Sequence, residues 1–477
     1  MTITATDRTA VLIRIAPYLE SWIAFQGAFR GAVGVQAAMR VDDDVVLNYA
    51  WGTADVDTGE TLTPGHLFRI ASHSKTMTAT AVLQLVEQGF LRLDDAVVTW
   101  VPELAETRLA TVTLRALLGH NAGVIRDGVD NDFWQRGGEF LDREALLEES
   151  RLNGAVYETD EYFKYSNVGY SLLGLAIEAA SGLPYNDYVR VNIVDRLRLV
   201  DSGPEYDADR AAEYAAGHTG LTQADDRRWR IGHVDTRAMA AATGWFSTAA
   251  ELTSYGAAHW FGNETLVSDS SKRLLQREET IVKVRGRELG RYGLGFEIRT
   301  VGERKLVGHS GGYPGHITRT WIDPDDAFVL SVLTNSVDGP ADSLATGLLQ
   351  IIEIALSPTT AAQAHDPAVL ARYTGRFANM WGVTDIVELG GHLVSINPRS
   401  PEPALAHQFL DVVGDDELLA ERIPGFGATG EPAYFTRDGA GRILSVALGG
   451  MTLWPIDTYR AALATGRPVD TLGKMSL

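Results

Sequence analysis

Apolar and polar positions alternate along residues 33–53 in two runs, 32–39 and 45–51. The turn-like Asp42-Asp43-Asp44 joins them, so the pattern predicts a β-hairpin. From Ser72 the spacing becomes helical, carried by Ala79, Val82, Leu83, Leu85 and Val86 and closed by Gly89, a fitting C-cap. A second helix follows Asn167 through Leu172, Leu173, Leu175, Ala176 and Ile177, and stops at Gly182-Leu183-Pro184. Polar, Gly- and Asp-rich stretches at about 124–160 and 200–235 read as loops. Strand patterns return at 305–308, 316–322 and 328–335, and a helix is expected over 347–356. Strands at both ends of a helical middle predict one mixed α/β domain whose sheet uses both ends of its chain.

The character changes near 357–367, a small, polar, Pro-bearing stretch that reads as a linker. Beyond it only short alternating runs occur: 373–377, 383–389, 393–397, 409–413, 433–436, 443–448 and 451–456. Turns such as Gly390-Gly391 and Asp438-Gly439-Ala440-Gly441 separate them. Short strands at this spacing predict a meander barrel or a sandwich. The expected organisation is a domain over 1–360, a linker at 361–367 and a small all-β domain over 368–477.

The chain of 477 residues is 45% hydrophobic, which is enough for two or three domains with buried cores. A net charge of −20 repels phosphate backbones and anionic headgroups, so neither nucleic acid nor a membrane surface is an expected partner. Cysteine is absent, which excludes disulfides, thiolate nucleophiles and Cys-ligated metals. The N-terminal residues lack a signal peptide's basic start and apolar stretch, and no run approaches a membrane span. A soluble, cytoplasmic protein is the expectation.

Three short constellations carry candidate chemistry. Ser72 precedes Lys75 by three positions at the start of a predicted helix, so both fall on one face. A serine is a poor nucleophile until a base takes its proton, and a buried lysine serves because desolvation disfavours its ammonium. The competing reading makes Ser72 a helix cap and Lys75 a solvated first-turn residue. Tyr165 and Asn167 stand at the start of the second helix, where they are either a proton relay and an amide anchor or a packed tyrosine and a cap. Gly308-His309-Ser310-Gly311-Gly312 also fits G-x-S-x-G, a nucleophile elbow. An elbow needs a helix directly after the serine, whereas Tyr313-Pro314-Gly315 and the alternation beyond describe a turn into another strand.

Taken in order, Ser-x-x-Lys, Tyr-x-Asn and His-x-Gly resemble the penicillin-recognising serine hydrolase superfamily, with class C β-lactamases, D-stereospecific aminopeptidases and related esterases as the nearest groups. Residues 67–75, 114–123, 165–174, 244–248 and 292–296 also look like that family's text, and the resemblance spans about residues 20–356. It implies an antiparallel sheet flanked by helices plus an all-helical lobe, with a lipocalin-like barrel at 368–477. It further implies Ser72 as the acylated nucleophile, Lys75 as its proton acceptor, and Tyr165 as a shared base that protonates the leaving group. Asn167 would hold the substrate amide, and the backbone N–H groups of Ser72 and Gly312, beside Gly311, would form an oxyanion hole. His120 matches a framework position of structural character. Neither metal nor organic cofactor is implied.

Family members that act on penicillins or carboxylate-ended peptides usually carry lysine at the position of His309. A mostly neutral histidine binds anions weakly. This points to amides, esters or peptides with a free amino end as small-molecule or peptide substrates. His-x-Gly is the form seen in D-aminopeptidases, but those carry two C-terminal β-domains and this chain has room for one. The leading expectation is a D-aminopeptidase-, amidase- or esterase-like hydrolase. The alternatives are an acyltransferase or peptide-cyclising thioesterase of the same superfamily, and a non-catalytic sensor that is acylated without turnover.

Overall fold

The computed structural model describes residues 5–222, 227–302, 304–357, 365–425 and 427–465. The expected hairpin is present as Gly34–Val41 and Asp44–Asp55, with Asp42 in the turn at a φ of 52°. It belongs to a nine-stranded antiparallel sheet. Across the sheet run Glu60–Thr61, Asp44–Asp55, Gly34–Val41, Phe328–Thr334, His316–Asp323, Arg304–Tyr313, Glu297–Val301, Arg287–Tyr292 and Thr280–Val284. Val35 faces Thr334 and His309 faces Thr320, so the sheet draws on both ends of its unit.

The two helices flagged by periodicity form the centre of a helical part. Ser74–Glu87 is buried from Ser74 to Leu85, and Asn167–Ser181 from Asn167 to Ile177. Helices buried on every side belong to the middle of a core, and both share one with Val97, Leu117 and Leu252. The stretch expected as a loop at 124–160 contains a helix, Arg143–Asn153, capped by the Asp142 side chain. Its core-facing residues are chiefly Leu146 and Leu147, too few to stand out among its charges. The closing helix begins at Ala341 rather than Gly347 and ends at Ala355.

The C-terminal runs close into an eight-stranded barrel in meander order. Seven of its strands fall on the seven expected runs, from Gly375–Asn379 to Met451–Pro455, whose Pro455 pairs with Phe377 to close the ring. The eighth, Glu417–Ala420, is four residues long and holds too little alternation to be seen. Tyr373, Phe377, Ile386, Leu393, Leu418 and Phe435 belong to its core. Of the expected linker, 361–364 lie outside the described residues, and Asp366 caps a short helix, Pro367–Leu370. Residues 466–477 of the expected barrel span also lie outside them.

Among the described residues, those up to Phe29 and from Thr346 onward form one compact unit, and Arg30–Ala345 form the other. The expected 1–360 domain contains the whole second unit together with parts of the first. Among the described residues no helix is long and apolar enough to cross a membrane.

Candidate active site

Ser72 lies in a short 3-10 turn, Ala71–His73, that leads directly into the Ser74–Glu87 helix. It does not cap that helix: the N-cap position is His73, which makes no side-chain capping bond. Ser74 steadies the turn instead, donating to the Ala71 carbonyl at 2.6 Å and accepting the Trp245 N–H at 3.1 Å. Ala71 has a φ of 46°, unfavourable for a residue with a Cβ. Packing with Phe133, Phe140, Met239 and Tyr313 over-determines it. Just before the turn, the buried Arg69 guanidinium donates to Glu205 at 2.8 Å and to the carbonyls of Val234 and Gly244 at 2.7 and 3.0 Å.

Lys75, one turn further on, is wholly buried, so the solvated first-turn reading fails. Its Nζ lies 3.3 Å from Ser72 Oγ, 2.6 Å from Asn167 Oδ1 and 2.9 Å from the Ala242 carbonyl. Burial pushes its ammonium well below the usual lysine range; Asp127 pulls it back up and Arg126 adds to the depression. The half-buried Ser72 hydroxyl thus has an amine beside it that holds its proton weakly.

Tyr165 places its ring 4.6 Å from Lys75 Nζ. Burial raises its phenol far above the ordinary value, which the neighbouring Ser72 side chain only partly offsets. Tyr165 therefore stays protonated when Lys75 is already neutral. Ser166, not Asn167, caps the following helix, accepting the Gly169 N–H at 2.8 Å. That leaves the Asn167 amide free to face Lys75. His120 does not reach Ser72. It accepts the Ser166 N–H at 3.2 Å and packs among Phe163, Tyr165, Tyr170 and Tyr292.

The strand Arg304–Tyr313 lies against the Ser72 turn on its other side. At Gly311 an added Cβ would sit 2.2 Å from the Ile70 carbonyl oxygen, so only glycine permits this approach. At Gly312 an added Cβ would meet only Ile317 Cδ1, at an ordinary contact distance of 3.7 Å. Ser310 stands mid-strand, paired with Arg319, and no helix follows it. The elbow reading is therefore excluded. His309 is buried, with Nε2 2.9 Å from the Tyr292 hydroxyl and Nδ1 2.6 Å from the Ser310 carbonyl. That pattern assigns the proton to Nδ1, with Tyr292 donating to Nε2. Burial takes His309 down to about 4, with Glu297 opposing and Lys75 assisting. It is neutral at pH 7, with both ring nitrogens occupied.

Glu297 accepts Ser310 Oγ–H at 2.7 Å and a hydrogen bond from Arg319. Burial raises its carboxyl, but Arg319, His309 and these hydrogen bonds outweigh that and hold it at about 2. A cavity of about 600 Å³ opens here, lined by Phe163, Tyr165, Tyr292, Glu297, Ser310 and Trp321 among others. Asp127, Tyr292 and Glu297 escaped the sequence reading as candidate site residues. Asp127 lies in an apparent loop, and Glu297 directly follows the family-like segment 292–296. Among the described residues no group of three or more His, Asp or Glu side chains converges to hold a metal ion.

The family model described as Beta-lactamase matches residues 19–352. Penicillin-binding protein 4* of Bacillus subtilis (strain 168) is 27% identical over 291 residues, 58% of this chain and 62% of that protein, so the chain spans under two thirds of that relative. Among solved structures, SurE aligns with a TM-score of 0.60 and 25% identity, over 94% of this chain and 99% of that one. SurE has also been solved with D-Leu. The D-amino acid amidase of Ochrobactrum anthropi SV3, in complex with L-phenylalanine amide, aligns with a TM-score of 0.59 and 25% identity, over 68% of this chain and 91% of that one. Sheet, helical part and ordered motifs all lie within the matched span, and the chain belongs to the beta-lactamase family, within the penicillin-recognising superfamily.

Proposed function

We propose that this enzyme hydrolyses amides, and the esters that react by the same route, through an acyl-enzyme on Ser72, with D-configured amino-acid amides or short peptides as its substrates. The observation that carries the proposal is the buried Lys75 amine 3.3 Å from Ser72 Oγ, in surroundings that favour its neutral form. In acylation, Lys75 takes the Ser72 proton as Oγ bonds to the substrate carbonyl carbon. The Tyr165 phenol then gives its proton to the departing amine and regains one from the Lys75 ammonium. A water molecule reverses the sequence, breaking the Ser72 ester and releasing the acid. The Ser72 and Gly312 N–H groups are the proposed donors to the oxyanion, an arrangement typically contributing about 3–4 kcal/mol.

Neutral His309 and the Glu297 carboxylate beside Ser310 support substrates that lack a carboxylate at the leaving-group end, since neither attracts an anion. The D-configuration rests on the D-amino acid amidase and on the D-Leu complex of SurE. The deciding experiment compares D- and L-amino acid amides and p-nitroanilides with short-chain p-nitrophenyl esters, and repeats each with Lys75→Ala. The proposal expects D-amides to be preferred and Lys75→Ala to lower kcat by about 10²–10⁴-fold with KM little changed. Preference for L-substrates would end the stereochemical part. A serine-directed phosphonate found on a residue other than Ser72 would end the whole reading. Added amines that trap the acyl group in place of water would identify acyl transfer as the reaction.

A further inference from the structure

Asp127 belongs to a stretch that the sequence presents as a loop, yet its side chain is only 3% exposed. The backbone there is fastened to the start of the Asn167–Ser181 helix. The Arg126 carbonyl accepts the N–H groups of Asn167 and Val168 at 2.7 and 3.1 Å, and Ser166 Oγ donates to the Ile125 carbonyl at 2.6 Å. These bonds satisfy donors that a helix terminus leaves open, and they bring Asp127 beside the Asn167 side chain. Asp127 Oδ1 accepts from Asn167 Nδ2 at 2.5 Å and from Trp134 Nε1 at 3.0 Å, while Oδ2 lies 2.9 Å from Arg126 Nε.

The chemistry of these partners fixes a direction. An ionised carboxylate only accepts hydrogen bonds, so it takes the NH₂ end of an amide and turns the oxygen end away. In this site the oxygen end meets Lys75 Nζ at 2.6 Å.

We propose that Asp127 is a positioning residue of the acylation site: it locks the Asn167 amide so that Oδ1 holds Lys75 Nζ against Ser72 and one remaining Nδ2–H faces the substrate. This rests on the reading of Ser72 as nucleophile and Lys75 as proton acceptor. It also narrows what Asn167 recognises. With its oxygen taken by Lys75, Asn167 meets the substrate only as a donor, so the group beside it is a carbonyl oxygen and not an ammonium.

A purely structural role for Asp127 is separable by pH. Around Lys75 Nζ stand Ser72 from its own turn, Tyr165, Asn167 and Tyr170 from the second helix and its approach, and the Ala242 carbonyl. His120 and His309, both held neutral by burial, complete the surroundings together with Arg126 and Asp127. Among these neighbours the charged ones are Asp127 and Arg126. Loss of Asp127 disfavours the ammonium, so the amine is free at lower pH. Loss of Arg126 does the reverse.

The test uses Asp127→Asn, Arg126→Gln and Trp134→Phe in the full chain, following kcat/KM for a p-nitrophenyl ester against pH and phosphonate labelling of Ser72 by intact mass. Asp127→Asn is expected to lower the plateau at least about tenfold and to move its acid limb to lower pH. Arg126→Gln is expected to move the limb to higher pH, and Trp134→Phe to lower the plateau by a smaller factor. An Asp127→Asn plateau within about twofold of wild type, or a lowered plateau with an unmoved limb, overturns the proposal. If Asp127→Asn fails to fold, an unmoved limb in Arg126→Gln together with an unchanged plateau in Trp134→Phe overturns it. Wild-type protein that is not labelled at Ser72 removes the underlying mechanism instead.

Discussion

Replacing Gly311 with alanine tests whether the strand that carries His309 sets the position of the nucleophile. The added Cβ would lie 2.2 Å from the Ile70 carbonyl oxygen and 2.3 Å from Thr318 Oγ1. Relief requires the strand and the Ile70–Ser72 turn to part by about 1 Å, a displacement that commonly costs on the order of 10²-fold in rate when it separates reacting groups. Overpacking of this kind costs roughly 1–3 kcal/mol of stability. The turn cannot yield cheaply, because Ala71 is already held at a positive φ and the Ile70 N–H donates to the Trp245 carbonyl at 2.9 Å. Turnover of a p-nitrophenyl ester and urea unfolding should therefore both register the change, with kcat falling more than the modest loss of stability explains. Gly312→Ala, whose Cβ finds its nearest neighbour at 3.7 Å, is the stability control and should unfold at the wild-type urea concentration. Wild-type turnover and stability in Gly311→Ala, or equal destabilisation by both changes, would refute the claim that close approach at this one glycine sets the geometry.

Two further outcomes follow from the buried charges. The His309 imidazole has an ordinary value of 6.5 and is held at about 4 in the fold, so below 6.5 the unfolded chain binds a proton that the native protein refuses. Its contribution to stability is complete above about pH 6.5 and drains away as pH falls toward 4. Glu297, lowered from 4.5 to about 2, adds a second loss as pH falls through that lower window. Urea midpoints measured from pH 7.5 to 4.5 should decline, and His309→Asn should flatten the slope by up to about 1.4 kcal/mol per pH unit; an unaltered slope would deny that the histidine is neutral. Separately, Arg69→Met strands Glu205, which is 11% exposed, beside Thr236 without its cation. Unfolding stability should drop by about 3–5 kcal/mol, part of it recovered by adding Glu205→Gln, and a loss below about 1 kcal/mol would show the pair to be solvated.

What was legible in the sequence divides by physical cause. Runs rich in apolar and β-branched residues exposed the strands Gly34–Val41, His316–Asp323 and Phe328–Thr334, which are buried along nearly their whole length on both faces. Thr280–Val284 and Arg287–Tyr292 were hidden because their burial is partial and their charges repeat without regard to face. The same contrast governs the site. Ser72, Lys75, Tyr165, Asn167 and His309 stand in short ordered motifs; the folded chain sets Ser72, Tyr165 and Asn167 around the Lys75 amine, with the His309 ring 6.3 Å from that of Tyr165. Asp127 and Glu297 act across 40 and 13 positions of chain, bonding Asn167 and Ser310. No local spacing announces such a pair, since a carboxylate in a polar stretch looks the same whether it faces water or a buried amide. For Asp127, only 3% exposed, the importance depends on burial, which raises the cost of an unpaired charge until one orientation of its neighbour remains. A motif therefore marks the candidate reacting atoms, and a carboxylate distant in sequence, such as Asp127 beside the Asn167 amide, is proposed to set their orientation.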